Sequence, residues 1–217
     1  MKNKFPYHSA LKRVGDLPID ESLNRFVQGN NQVFTYDMTN EIPQSFFEAD
    51  MIYAELAWKA GFKKYMDKVD KLGNFEFYVR SVEKIITTLK IAAYLIIGKH
   101  HLKILNPHRI RPIKQHDYNA ILASYYTDYR PIGKTNYDVM DEICKLDFTT
   151  ILNFNCGYGN IVRYALAHSK NFICSDINPH CVYFVAKSYM GYQDEKNGSN
   201  IQEHLRDQTI LEKSERP

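Results

Sequence analysis

Gly157 and Gly159, in the run Asn155-Cys156-Gly157-Tyr158-Gly159, and the acid Asp176 roughly twenty residues further on are spaced to hold a nucleotide-like ligand. A glycine has no β-carbon, so the backbone can turn sharply and approach a ligand closely. An acid at the end of the next apolar run can accept hydrogen bonds from both hydroxyls of a ribose. Two close glycines also occur in ordinary turns; the flanking pattern and the spaced acid favour the nucleotide reading. The third glycine of the dinucleotide fingerprint is missing, because the series continues Asn160-Ile161-Val162. A cofactor without a pyrophosphate, such as S-adenosylmethionine, therefore suits this loop better than NAD or FAD.

A second group of residues lies far upstream. Asp50 leads the apolar run Met51-Ile52-Tyr53-Ala54, which closes on Glu55, and Trp58, the chain's one tryptophan, follows three positions later. Two basic stretches could contact phosphate. Residues 60–72 carry Lys63 and Lys64 with Phe62 and Tyr65 beside the charges, and residues 99–116 carry Lys103, Arg109, Arg111 and Lys114 with no acid. A solvated helix face accounts equally well for the first stretch, while in the second the clustering favours phosphate contact over a solvated edge. The four histidines of 99–116 lack a metal-ligand spacing, and Cys144, Cys156, Cys174 and Cys181 form no CxxC pair, so no metal site is expected and the thiols read as reduced.

The elements that must place these residues follow from periodicity. Residues 151–154 read as a strand, Ile161, Val162, Tyr164, Ala165 and Leu166 as one helix face, and 171–175 as a strand ending on Asp176; Pro179 starts a helix to about 189. Upstream, a strand over 32–36 closes on Asp37, and the run into Glu55 is another. The spacing predicts a helix over 74–89, a buried strand over 91–97 and an edge strand over 109–113, where Pro112 cannot donate to a ladder. Helices are expected over 19–27, over 117–129 from Tyr118, Ile121, Leu122 and Tyr125, and over 137–146 behind a Thr135 or Asn136 cap. The sum is an α/β doubly wound, Rossmann-like single domain over 32–190, with a basic arm over 1–31 and a polar tail or surface helix over 191–217.

The stretch Phe172-Ile173-Cys174-Ser175-Asp176-Ile177-Asn178-Pro179 and the glycine loop before it resemble the cofactor end of amino-methylating DNA methyltransferases. There the pattern runs V-L-D-P-F-x-G-x-G-T and then x-F-I-G-I-E-I-N-P; this chain has Asn153, Phe154 and Asn155 where that family has its acid, proline and phenylalanine. Asp50 and Ile52 match the leader of the family's catalytic tetrapeptide D-P-P-Y/F/W, and Glu55-Leu56-Ala57-Trp58 stands in its place. The resemblance implies S-adenosylmethionine as cofactor, held by Asn153, Asn155, Gly157, Gly159, Asp176 and Asn178, with Lys134 and Thr135 near its methionine end. It also implies that Glu55 accepts a hydrogen bond from an exocyclic amino group while Trp58 stacks on the flipped base. A partly buried strand-end acid and a packing tryptophan are the plainer account of the same two residues. Since the presumed catalytic strand precedes the cofactor strand, a circularly permuted methyltransferase fold is expected.

Composition sets the outer limits. The 217 residues are 44% hydrophobic and 24% charged, with a formal net charge of +3, so nucleic-acid affinity has to come from local clustering. The longest apolar run, 91–97, is too short to span a bilayer, which places the chain as soluble and cytoplasmic. Nucleic acid, DNA ahead of RNA, is the expected partner, and a homodimer or a second subunit is left open. Three functions remain: a base methyltransferase, a catalytically silent relative that binds nucleic acid or a partner, and a related transferase making another base modification.

Overall fold

A computed structural model describes residues 25–59, 62, 74–115 and 118–198, with side chains to 191. Eight strands form one sheet: β1 (Arg25–Gln28), β2 (Asn31–Thr35), β3 (Met51–Glu55), β4 (Ala92–Ile97), β5 (Arg109–Gln115), β6 (Tyr118–Tyr125), β7 (Thr150–Asn153) and β8 (Asn171–Asp176). Their order across the sheet is β1-β2-β8-β7-β3-β4-β6-β5. The five strands from β2 to β4 run parallel, β6 is antiparallel to both β4 and β5, and β1 is antiparallel to β2.

Among the described residues four α-helices cover the sheet: α1 (Phe75–Leu89), α2 (Asn136–Cys144), α3 (Asn160–Ala167) and α4 (Pro179–Gly198). The stripe Val79, Val82, Ile85 and Ile86 of α1 is fully buried in a core it shares with Ile52, Ala54, Leu95 and Ile97. On the opposite face, Val139 and Ile143 of α2, Ile161 and Ala165 of α3, and Val182, Val185 and Ala186 of α4 pack with Tyr53, Tyr94, Ile151 and Phe172. Each large aliphatic among them contributes about 1.5–3 kcal/mol by leaving water. Local chemistry fixes where the helices start. The Asn74 side chain accepts from Phe77 N at α1, and Thr135 and Asp138 form a reciprocal capping box at α2.

The direction in which successive strands are added across the sheet reverses between the parallel neighbours β7 and β3. From β7 the chain crosses outward to β8, and from β3 it crosses the other way to β4, so this is the switch point at which doubly wound sheets bind ligands. The two strands are zipped at their starts. Asp50 Oδ2 accepts from Thr149 N and Thr150 N at 2.9 Å, and only two residue pairs, Met51↔Ile151 and Ile52↔Leu152, are in register. Beyond them the strands part, and the crevice opens at their carboxyl ends.

Strand replaces helix in the described parts of two expected helices; residues 19–24 of the first, with the rest of the arm before 25, and residue 117 of the second lie outside the described residues. Residues 25–28 form β1, because Gly29-Asn30 is a two-residue hairpin turn with Gly29 at φ +59°. Residues 118–125 form β6, which is inserted between β4 and β5 and is buried on both faces along its second half. A strand covered on both sides reads as a continuous apolar run, and here the tyrosines mimic helical spacing. The edge position of β5 agrees with Pro112. Lys114 N already donates to Lys134 O beyond the sheet, and Pro112, two residues away on the same side, has no N–H to offer. The helix begun at Pro179 runs on to Gly198, past the expected stop near 189.

Candidate functional site

The glycine loop is closed by its own neighbourhood. Asn153, at the end of β7, is 3% exposed, and its Oδ1 accepts from Asn155 N at 3.0 Å. Cys156 N donates to Ser175 O, which docks the loop on β8. Gly157 N donates to Asp176 Oδ2 and Asn178 N donates to Asp176 Oδ1, both at 2.9 Å. Asn178 Oδ1 in turn accepts from His180 N at the start of α4. Asp176 is only 2% exposed, so in this conformation its carboxylate clamps the loop. The two glycines differ. Gly159 (φ +73°) caps α3, and a β-carbon there would lie 2.8 Å from Val185 Cγ2; Gly157 (φ +49°) has nothing within 4 Å of that position. The open side of Gly157 is where another molecule can meet the backbone.

The Glu55–Trp58 loop is held from several directions. Glu55 Oε1 accepts from Tyr53 Oη at 2.8 Å and Asn136 Nδ2 at 3.0 Å, and its Oε2 accepts from Gln115 Nε2 at 2.6 Å. Gln115 Oε1 accepts from Trp58 Nε1 at 3.1 Å, so a single amide joins both residues expected at the target. Burial, and then the Glu55 carboxylate, push the Tyr53 hydroxyl well above its ordinary pKa, so it stays a donor.

The loop lacks the two prolines of the family pattern, and its backbone is held by side chains from elsewhere. Ala57 N donates to Tyr78 Oη at 3.0 Å, a bond that needs the N–H proline lacks, and burial pushes the Tyr78 hydroxyl up. Ala57 O meets His101 Nε2 at 3.2 Å, while His101 Nδ1 receives Gly98 N at 3.1 Å. Burial lowers the pKa of His101, partly offset by its backbone hydrogen bonds to Gly98 and Ala57. Gly98 leaves the space Trp58 occupies: a β-carbon at 98 would lie 3.0 Å from the indole ring.

One bond spans the crevice between the two loops. Asn155 Nδ2 donates to Glu55 O at 2.6 Å, joining residues 100 positions apart. Beside it lies a small cavity of about 50 Å³, whose lining includes Asp37, Thr39, Ala57, Tyr78, Asn155 and Ile177. Asp37, just beyond the end of β2, accepts from Thr39 N and Oγ1 through Oδ1. Three buried polar atoms near these loops, Asn136 Oδ1, Tyr158 Oη and Ser175 Oγ, have no hydrogen-bond partner among the described residues. Buried polar groups are normally satisfied, so these three atoms stand out in the site.

Other expected site residues are placed differently. Thr135 Oγ1 accepts from Asp138 N, and Lys134 N donates to Asp138 Oδ2, so both shape the start of α2 and thereby set Asn136. Arg109 gives its guanidinium to Thr127 O, Asp128 O and Asp128 Oδ1, Arg111 to Ile132 O and Gly133 O, and Lys114 Nζ to Asn119 Oδ1. These three cations brace the 127–133 loop and the β5–β6 pair. Lys103 faces another groove, bordered by Lys59 next to Trp58 in the chain. Lys63 and Lys64 lie outside the described residues. Among the described residues no cluster could hold a metal, no helix is long and apolar enough to cross a membrane, and the four cysteines are buried and form no disulfide.

Gln115, Asn136, Tyr78, His101 and Asp37 are the site residues that sequence reasoning misses. Asp37 closes a strand in the same way as Asp176 and Glu55, which is a usable signal. The others have none, because each reaches the site from a separate element.

No family model matches the chain, and no curated protein matches it. Among solved structures, M1.HpyAVI is similar with a TM-score of 0.50 at 10% identity, over 72% of this chain and 97% of that one. The M1.HpyAVI–SAM complex has a TM-score of 0.46 at 11% identity, covering 72% and 97%. TTHA0409 of Thermus thermophilus, a candidate DNA modification methylase, in complex with S-adenosyl-L-methionine, has 0.46 at 10%, covering 72% and 92%. At these identities the likeness to M1.HpyAVI bears on architecture alone. The chain has the α/β doubly wound, Rossmann-like methyltransferase fold expected from its sequence.

Proposed function

We propose that this chain is an S-adenosylmethionine-dependent methyltransferase acting on an exocyclic amino group of a nucleic-acid base, with DNA ahead of RNA as substrate. The observation that carries the proposal is the Asn155–Glu55 bond across the switch point, which couples the glycine loop to the loop bearing Glu55 and Trp58. The strand order supports a circularly permuted reading: β2, β3 and β4 precede β7 and β8 in the chain yet share one parallel array with them in the sheet. The glycine loop, which lacks the third glycine of a pyrophosphate site, supports the choice of cofactor.

Part of the expected donor set is open to that cofactor. Gly157 offers open backbone, Asn153 and Asn155 shape the loop, and Asp37, Thr39 and Ile177 line the adjacent cavity. Gly159, Asp176 and Asn178 hold the loop in place, while Lys134 and Thr135 act through α2. When bound, S-adenosylmethionine supplies a methyl group on a sulfonium centre. A carboxylate has roughly four lone-pair sites. Tyr53, Asn136 and Gln115 fill three of them on Glu55, leaving one on Oε2 for an amino N–H and for the proton that nitrogen loses. Trp58, tethered through its indole N–H, presents its ring to a flipped base.

The burial of Asp176 favours a second reading, a catalytically silent fold that binds nucleic acid or a partner, because a ribose would have to displace the loop's own bonds. Calorimetry with S-adenosylmethionine separates the two: no heat at millimolar ligand removes the enzyme. Nucleoside mass spectrometry of DNA co-expressed with the protein then tests the reaction. A shift of one methyl that disappears in Glu55→Ala supports it, and a heavier adduct points to a different base modification.

A further inference from the structure

We infer that the groove bordered by Lys59, Arg80, His100 and Lys103 carries the phosphodiester backbone of the nucleic-acid strand whose base lies at Trp58. This rests on the nucleic-acid reading above and adds the surface that holds the strand. The groove is open to solvent and offers about 530 Å³ between the start of α1 and the connection from β4 to β5. Among the described residues, three formal positive charges from Lys and Arg face it against one acid, Glu76, and Glu76 is ion-paired to Arg80 at 2.8 Å. None of Lys59, His100 and Lys103 makes an ion pair with a described residue, and all three are exposed. Phe75 forms part of the wall, with Lys59 Nζ 5.8 Å from its ring centroid, which steadies a long side chain at the rim.

Two connections tie the groove to the target loop. Lys59 directly follows Trp58 in the chain. His100 and Lys103 flank His101, whose ring is buried against Ala57 O, so the turn that carries these cations is pinned to the same loop. The first helical turn of α1 adds positive potential from the same side. Cations and an aromatic beside a base-stacking surface suit a sugar–phosphate strand. The contrast with 109–114 decides between the two halves of the basic stretch, because those cations are engaged with the protein itself.

Fluorescence anisotropy of a labelled duplex, and of the corresponding single strand, tests the assignment on the full chain. K59Q/K103Q should weaken binding at least tenfold at low salt, and it should reduce the slope of log affinity against log salt by about 0.7–0.9 for each phosphate contact removed. The charge-retaining K59R/K103R should bind like the wild type, which separates lost contact from lost fold. K90Q, at the far end of α1, should change little. Unchanged affinity and slope in K59Q/K103Q overturn the assignment. So does the absence of strand binding combined with a Lys59- and Lys103-dependent change of Trp58 fluorescence on adding inorganic phosphate, which would mark a small-anion site. Calorimetry with S-adenosylmethionine on the same variants keeps the outcomes apart: heat retained in K59Q/K103Q means that a failed groove leaves the cofactor reading intact.

Discussion

The two loops that meet at the switch point are built in opposite ways. The glycine loop is held mainly by bonds over short separations: two residues from Asn153 to Asn155, two from Asp176 to Asn178 and 19 from Gly157 to Asp176. The Glu55–Trp58 loop depends on partners 21, 44, 57, 60, 81 and 100 residues away, contributed by α1, the β4–β5 turn, β5, α2 and the glycine loop. A locally closed loop keeps its shape through its own sequence. A loop closed by distant side chains keeps its shape only while those elements stay docked. The first should tolerate changes elsewhere in the molecule, and the second should respond to changes at several remote positions.

The strongest break of the local loop is Gly159→Ala. Left-handed backbone costs about 1–2 kcal/mol for a side-chain residue, and crowding Val185 adds about 1–3 kcal/mol. A fall of about 2–5 kcal/mol in the free energy from denaturant unfolding is expected from these two costs. Gly157→Ala carries only the backbone cost, because its β-carbon meets open space. Its larger effect should be on calorimetric affinity for S-adenosylmethionine. If both variants lose equal stability, the two glycines do not divide the work as described.

The remote loop is broken next by Gln115→Leu, which leaves Glu55 and Trp58 each without one partner. About 1–3 kcal/mol of stability should be lost. Since Trp58 is the chain's one tryptophan, its emission reports the change directly. An unaltered spectrum would show that Gln115 does not tether the indole. Tyr78→Phe removes the acceptor of Ala57 N, at about 0.5–1.5 kcal/mol. Combining it with Ala57→Pro, which removes the donor as well, should cost less than the sum of the two single changes.

The smallest effect at neutral pH concerns His101. Its folded pKa lies below the ordinary value near 6.5 because of burial, so below that pH the unfolded chain takes up a proton that the folded ring refuses. Stability should therefore fall as pH drops through about 6.5 and level off below the folded pKa. The slope has an upper limit of about 1.4 kcal/mol per pH unit for one proton. Thermal unfolding of wild type and His101→Gln from about pH 7.5 to about 5 checks this on either side of the ordinary histidine value. Parallel curves would assign the acid loss to other groups.

Much of the fold is legible in the chain itself. The strands β2, β3, β4, β5, β7 and β8 and the helices α1, α2 and α3 follow from period, and Thr135 announces α2 as its cap. Two strands escape this reading for identifiable reasons. β1 depends on the Gly29-Asn30 turn and on a neighbour to pair with, while β6 is a strand only because β4 and β5 enclose it. The same holds for charge. Arg109, Arg111 and Lys114 look equivalent to Lys103 in sequence, but their partners Asp128, Gly133 and Asn119 are set by how β5 and β6 pair.

Sequence alone determined the strand–glycine loop–helix–strand–acid unit, because its contacts are short-range and its residue types are restricted by backbone geometry. It also determined the doubly wound class, through the alternation of buried strands with amphipathic helices. Only the tertiary structure decided that Asp176 faces inward to clamp the loop, and that Gln115 ties Glu55 to Trp58. It also decided that Tyr78 and His101 hold a loop without prolines, and which half of the basic stretch remains open beside Trp58. The physical reason is the same in each case. A hydrogen bond between residues 44 to 100 positions apart leaves no periodic trace in the chain, and it exists only after packing on both faces of the sheet has brought the ends of β3, β5 and β7 together.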